Sequence, residues 1–242
     1  MDFSIARITE RFNKFIEYLV NNRKQFFIGI GGIIVLTLGM IGYSYYREWS
    51  EASAHKAFIE MMRYYDAPVT GKMVATESVI EFASEAEKWA KVAEVCKTTY
   101  NQHRGSDMAS MFQAYQAQAL ASQGNIDEAI ALLSSAVNSI PSKEMRDFYS
   151  LKLTLMKLDS SKPDVQQAGF AELKKMAENT AAITHEAALY YLGSYFWNLK
   201  DFNQAKNYWQ QLMVKYGLKE AKQQSGFGEL IKSRLKLISP EW

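Results

Sequence analysis

Between Lys24 and Arg47 the chain carries no charged side chain, and this gap limits the possible folds more than any other feature. Phe26 to Tyr46, 21 residues, measures about 31 Å as an α-helix, close to the thickness of a bilayer hydrocarbon core. Ten of those positions are Phe, Ile, Leu or Val. At roughly −0.3 to −0.6 kcal/mol each near a membrane centre they favour insertion by about 3 to 6 kcal/mol. Helices buried in a small globule seldom stay uncharged for so long, so residues 25–46 are read as one transmembrane helix. Arg23 and Lys24 close its near end. Tyr43, Tyr45, Tyr46 and Trp49 form an aromatic belt at the far end, where amphipathic rings settle among headgroups. A cleavable leader ending at Ala52-Ser53-Ala54 fits less well, because the apolar run is too long and Arg47, Glu48 and Glu51 intervene.

Orientation follows from charge. Arg7, Arg11, Lys14, Arg23 and Lys24 precede the run, whereas Arg47, Lys56 and Arg63 follow it among four acids. The positive-inside bias places the N-terminus in the cytoplasm and everything after the span across the membrane. In residues 1–24, Ile5, Ile8, Phe12, Phe15, Ile16 and Leu19 recur at helical intervals. That face suits an anionic lipid leaflet or, equally, the groove of a partner protein.

The remainder reads all-α. Proline occurs only at Pro68, Pro141, Pro163 and Pro240, and good helix formers fill the segments between turn signals such as Gly105-Ser106-Asp107, Gly124-Asn125 and Ser160-Ser161-Lys162-Pro163. The expected organisation is a cytoplasmic amphipathic segment (1–24), the span (25–46), a juxtamembrane helix and turn (47–72), and a helical domain (73–242) whose first helix covers Met73 to Gln102.

Two segments repeat a pattern of small and large residues that lets paired helices approach closely. In the first, Ala117, Gly124, Ala129, Ala136 and Pro141 hold the small, turn and closing positions, with Leu120 and Leu133 at the large ones. In the second, Leu192-Gly193, Phe196, Phe202, Ala205 and Trp209 fall in the same frame, with Lys200 where the turn glycine belongs. Both resemble tetratricopeptide units. The segments at 54–103 and 145–179 keep the hairpin length without the signature. A last helix, carrying Leu230, Ile231, Leu235, Leu237 and Ile238, suits the solvating cap such a stack requires. The expected fold is therefore an N-terminal transmembrane helix followed by a tetratricopeptide repeat-like solenoid with a C-terminal capping helix.

The plan as a whole resembles the ancillary SecYEG translocon subunit family. The resemblance is carried by Asn21-Asn22-Arg23-Lys24, the Gly-rich run, the aromatic exit from Tyr43 to Trp49 with Ala52 and Ala54 after it, Trp89, His103-Arg104-Gly105-Ser106, and the two repeat frames. It implies a bacterial inner-membrane protein with a short cytoplasmic N-terminus, one span and a periplasmic repeat domain. It also implies partners among Sec translocon subunits, periplasmic chaperones and exported clients. The basic N-terminal segment is longer than the resemblance implies.

In tetratricopeptide arrays the first helix of each pair lines a groove. Mapping that face onto the two frames gives Met111, Ala114, Gln118, Ala121 and Ser122, then Ala187, Tyr190, Ser194, Trp197 and Asn198. Rigid aromatics anchor peptides at low entropic cost, so Tyr190 and Trp197 lead the contact candidates with Gln118 and Asn198. The same two rings could equally be core. The Lys and Asn pair by which some arrays grip a C-terminal carboxylate is missing, since Ala114, Gln118, Tyr190 and Ser194 occupy its positions.

Catalytic patterns are poorly formed. His185-Glu186-Ala187-Ala188-Leu189 opens like a zinc-protease helix but has leucine where the second histidine must stand. Ser53 and Lys56 have a spacing that can activate a serine, without the accompanying motifs. Cys96 is the only cysteine, read as a small buried side chain, and His55, His103 and His185 lack metal-ligand spacing. With 28 Lys and Arg against 26 Asp and Glu and no basic cluster, nucleic acid is not expected as a partner. No enzyme, metal or cofactor is expected. The expected function is a membrane-anchored adaptor for protein–protein interaction, with an envelope scaffold subunit and an organellar import-type receptor as alternatives. The lost carboxylate grip argues against the receptor.

Overall fold

The structure, a computed structural model, describes residues 3–75, 79–217 and 226–238. It divides into two compact units, Met1–Ser53 and Ala54–Trp242, whereas the sequence places the start of the helical domain at 73.

The first unit contains helix α1, Phe3–Asn21, and the opening half of α2, Arg23–Tyr65, separated by a turn at Asn22. Within α2 the consecutive residues Ile33, Ile34, Val35 and Leu36 are all 52–69% exposed. Four successive helical residues sweep most of the circumference, so the apolar surface is not confined to one stripe. The Thr37 hydroxyl donates to the Ile33 carbonyl at 2.8 Å and so leaves no unmet donor there. Among the described residues no helix is long and apolar enough to cross a membrane. The expected span, 25–46, includes Gln25, Phe26, Gly29 and Ile30, whose side chains lie outside the described residues.

The second unit is a run of helices, each packed on the next: α3 Glu85–Gln102, α4 Ala109–Ser122, α5 Ile126–Ser139, α6 Lys143–Leu158, α7 Pro163–Glu178, α8 His185–Asn198 and α9 Phe202–Leu212. A π-helical turn, Met213–Gly217, extends α9, and α10, Gly226–Ile238, packs on α8 and α9. Three apolar clusters follow one another along this series. Met61 from the end of α2 joins Val92, Cys96, Phe112 and Ala119 in the first. Leu120, Leu133, Val137 and Tyr149 lead the second, and Leu173, Leu189, Leu192, Trp209 and Ile231 the third. Such a series has no single centre, and each helix depends on its neighbours for burial.

One expectation is corrected in the segment 73–84. The helix expected from Met73 begins only at Glu85, and the preceding residues form a small antiparallel ladder of β1, Val74–Ala75, and β2, Ile80–Glu81. Phe82 anchors this excursion. Its side chain is fully buried, its N–H donates to Pro68 and its carbonyl accepts from Thr70, both at 3.0 Å. Helix α3 then starts on a variant of the capping box, in which Glu87 reaches back to the residue before the N-cap Ser84. Ser84 Oγ accepts from the Glu87 N–H at 3.2 Å, and the Glu87 carboxylate accepts from the Ala83 N–H at 3.2 Å.

The C-terminal helix α10 packs one apolar side inward. Ile231 and Leu235 are fully buried while Leu237 is 75% exposed. Leu230, Ser233 and Ile238 have side chains outside the described residues.

Candidate protein-binding face

The pair α4–α5 shows how these units are built. Ala117, Ala129 and Ala136 are fully buried, so the two helix backbones approach closely around Leu133. Helix α4 ends in a Schellman motif, in which Asn125 N–H donates to the Leu120 carbonyl and Gly124 N–H to the Ala121 carbonyl, both at 2.9 Å. Gly124 takes the left-handed conformation this motif requires, φ +83°. In α8–α9 the same two bonds join Asp201 to Phe196 and Lys200 to Trp197, at 2.9 and 3.0 Å. Lys200 holds the left-handed position, φ +61°, without being glycine.

Helices α4, α6 and α8 share a face that carries two polar features. At one end Gln118 bridges neighbours. Its amide donates to the Tyr65 hydroxyl and its carbonyl oxygen accepts from the Lys152 ammonium at 3.1 Å. Lys152 also lies 5.1 Å from the Phe148 ring centroid and 5.5 Å from that of Tyr149. Burial lowers the Lys152 pKa and raises that of Tyr65.

At the other end, between α6 and α8, is a cleft of about 480 Å³ lined by Leu155, Leu158, Asp159, Tyr191, Ser194, Tyr195, Asn198 and Leu199. Its walls are mostly leucine and tyrosine. Asp159 is the one charged lining residue, and partial burial raises its carboxyl above the ordinary range. The Ser194 hydroxyl is buried beneath the cleft surface and has no hydrogen-bond partner among the described residues. A largely apolar cleft with a few polar side chains at its edge can hold an extended peptide by its side chains.

The residues expected from sequence to form a groove separate here into five situations. Ser194 and Asn198 line the cleft, and Gln118 is held in the network at the opposite end. Met111 is half-buried against the second apolar cluster. The Ser122 hydroxyl bonds back to the Gln118 carbonyl of its own helix at 3.1 Å. Tyr190 and Trp197 are covered by α10: Tyr190 stacks on Phe227 with centroids 4.7 Å apart, and Trp197 lies 5.5 Å from Trp209 with Arg234 over its ring. Both rings are half-buried against the third apolar cluster. Tyr191, one residue after Tyr190, and Tyr195, two residues before Trp197, line the cleft instead. A one-residue step turns the face by roughly 100°, and α10 determines which side of α8 remains open. Lys152, Leu155 and Asp159 were not readable beforehand because α6 carries no repeat signature from which to set its frame.

Of the interface anchors, Tyr43, Tyr45, Tyr46 and Trp49 stand 65–74% exposed on α2, and Arg23 and Lys24 are exposed at its start. The remaining chemical candidates are placed as follows. Cys96 is fully buried with its thiol 3.3 Å from Met61 Sδ, and burial pushes its pKa up to about 12, which makes it inert. His185 is buried at the start of α8. Among the described residues no group of three His, Cys, Asp or Glu side chains is arranged to hold a metal.

The helix pairs, their left-handed turns and their alanine contacts are the traits of a repeat array, and the model of the tetratricopeptide repeat-like domain family matches residues 18–236. The chain belongs to that family. No curated protein and no solved structure matches it. Domains of this family mediate protein–protein interaction. The cleft between α6 and α8 thus has a place in the family architecture, since it lies between the first helices of two successive pairs.

Proposed function

We propose that this chain is a membrane-tethered adaptor whose repeat domain holds other proteins in the cleft between α6 and α8. The observation that carries the reading is the cleft itself, with its tyrosine and leucine walls and Asn198 and Asp159 at its edge. The chemistry is recognition rather than catalysis: the Cys96 thiol is buried and held in its protonated form, and the Gln118, Tyr65 and Lys152 side chains are bonded to one another.

Tethering is supported by the run Phe26–Tyr46 and by side chains exposed on all sides of α2, where an aqueous surface would leave an unfavourable apolar area in water. The charge asymmetry supports a cytoplasmic N-terminus and a periplasmic repeat domain in a bacterial inner membrane. In this reading the protein is ancillary to the Sec translocon and passes exported chains to periplasmic chaperones, which fits the resemblance in plan and residues described above.

A photo-crosslinking amino acid at Asn198, compared with one at the exposed Lys174 on α7, tests this in native membranes. Position 198 is expected to capture translocon subunits, periplasmic chaperones or exported chains, and position 174 is not. Equal capture at both, or none at 198, removes the cleft from the account. Topology is checked separately: carbonate extraction should leave the chain in the membrane, and protease should reach the repeat domain only from the periplasmic side.

A further inference from the structure

We infer that α1 is an interfacial helix that binds the surface of an anionic bilayer and so sets the lipid environment of this protein. The inference rests on the membrane-tethered reading and adds to it a lipid class and a binding segment.

Sequence alone leaves the apolar face of α1 with two possible occupants, lipid or a partner's groove. Three observations favour lipid. First, the face is uncovered: Phe12, Phe15, Ile16 and Val20, at helical spacings of three, four and eight from Phe12, are 43–64% exposed. Second, α1 ends at Asn21 and α2 starts at Arg23, so the amphipathic helix stops one residue short of the cations that close the uncharged run. If that run lies in the hydrocarbon, Arg23 and Lys24 lie at headgroup level, and the connected α1 starts at that depth. A protein groove imposes no such placement. Third, the charge is one-sided. Arg7, Arg11 and Lys14 follow the spacing i, i+4, i+7 and form a stripe along one flank of the apolar face. Glu10 is paired with Lys14 at 2.8 Å, and between Phe3 and Lys24 five cations outnumber two acids.

An interfacial helix gains from both terms at once. Phenylalanine and isoleucine side chains enter the boundary between headgroups and acyl chains, while arginine and lysine at the edge meet lipid phosphates. Arg11 is four residues from Phe15, so this guanidinium stands beside the ring that inserts. A neutral bilayer offers the first term without the second, and the preference for anionic lipid resides in the stripe.

The test uses the full chain, one copy per nanodisc. Because Cys96 is fully buried, a cysteine introduced by Phe15→Cys can be labelled alone with an environment-sensitive fluorophore, and Asn13→Cys supplies a control about 160° around the helix from position 15. In discs of phosphatidylcholine with phosphatidylglycerol, the label at 15 is expected to shift to the blue and to resist aqueous iodide, while the label at 13 stays quenchable. In phosphatidylcholine alone, or with Arg7→Gln, Arg11→Gln and Lys14→Gln combined, the ratio of shielded to exposed label should fall at least about tenfold. Equal iodide access at 13 and 15 in anionic discs overturns the inference. So does shielding at 15 that ignores lipid charge and grows with the number of copies per disc, which assigns the face to a protein partner. Carbonate extraction separates the two readings. Release of the chain by carbonate while position 15 still enters anionic discs sinks the span and spares α1, whereas retention with position 15 exposed does the reverse.

Discussion

The pairs α4–α5 and α8–α9 solve one packing problem with different atoms. Where the first sets Ala117 against Leu133, the second sets Gly193 against Trp209. A methyl on Gly193 would lie 2.2 Å from Trp209 Nε1, so the indole occupies the volume that a side chain on α8 would need. Its N–H is not wasted, because it donates to the Tyr190 carbonyl at 3.2 Å. At the turn the difference runs the other way. Gly124 fits the left-handed position freely, and Lys200 adopts it under strain. The repeat frame thus prescribes the sum of two facing volumes and the backbone angle at one turn, not the identity of any single residue.

The largest effect expected from this comparison is at the glycine. Gly193→Ala should destabilise the protein by about 3 kcal/mol, since neither α8 backbone nor a fully buried tryptophan can move cheaply, as read by urea unfolding in detergent. Trp209→Leu should cost about 3 to 4 kcal/mol through the cavity it leaves. The two together recreate the Ala117–Leu133 pair, so their combined cost should fall at least about 1 kcal/mol short of the sum. Additive costs would show that the two pairs are not equivalent.

Smaller effects come from the turns. Gly124→Ala should cost about 1 kcal/mol, and Lys200→Gly should stabilise by about 0.5 kcal/mol because relief of left-handed strain exceeds the added unfolded-chain entropy. A loss at Lys200→Gly would mean that the lysine side chain has a role the comparison misses.

A difference confined to the second pair is its buried histidine. Burial, and then the Lys215 charge, lower the His185 pKa below 6.5, opposed by a bond to the Ala177 backbone. A histidine whose folded pKa is depressed contributes stability that is fully present above the unfolded value, about 6.5, and is lost as pH falls from there through the folded value. His185→Gln should flatten the stability profile in that acid window and leave the region above pH 7 nearly unchanged, as seen in melting midpoints across pH. The smallest effect is expected in the open cleft: Asn198→Arg should alter stability by no more than about 0.5 kcal/mol while abolishing capture by a photo-crosslinking amino acid placed at the neighbouring cleft position Tyr195.

Much of this molecule was legible beforehand. The alternation of small and large residues located two helix pairs, and Ala117, Ala129, Ala205 and Trp209 are all fully buried as that pattern requires. Lys200 could be identified as the odd turn residue, although not as one that keeps the glycine's conformation. The ladder between Met73 and Ser84 escapes a helical reading of that stretch because Val74, Val79 and Ile80 fit a helical period, while the motif Ser84-Glu85-Ala86-Glu87 and the β-branched residues before it speak for a later start. Six of the eight residues lining the cleft fall outside the expected groove, for a different reason. Periodicity identifies which residues share a side of α8, but not which side α10 will cover.

Sequence by itself determined the repeat frame, the turn positions and the uncharged run, because each depends on residues close together in the chain or on the solvation of single side chains. The tertiary structure alone decided that Tyr190 packs on Phe227 and Trp197 on Trp209, that Tyr191, Ser194 and Asp159 share a cleft, and that Gln118 meets Tyr65 and Lys152. Those outcomes depend on how one helix rotates against another. Rotation is set by the summed packing of many distant side chains, which no local pattern records.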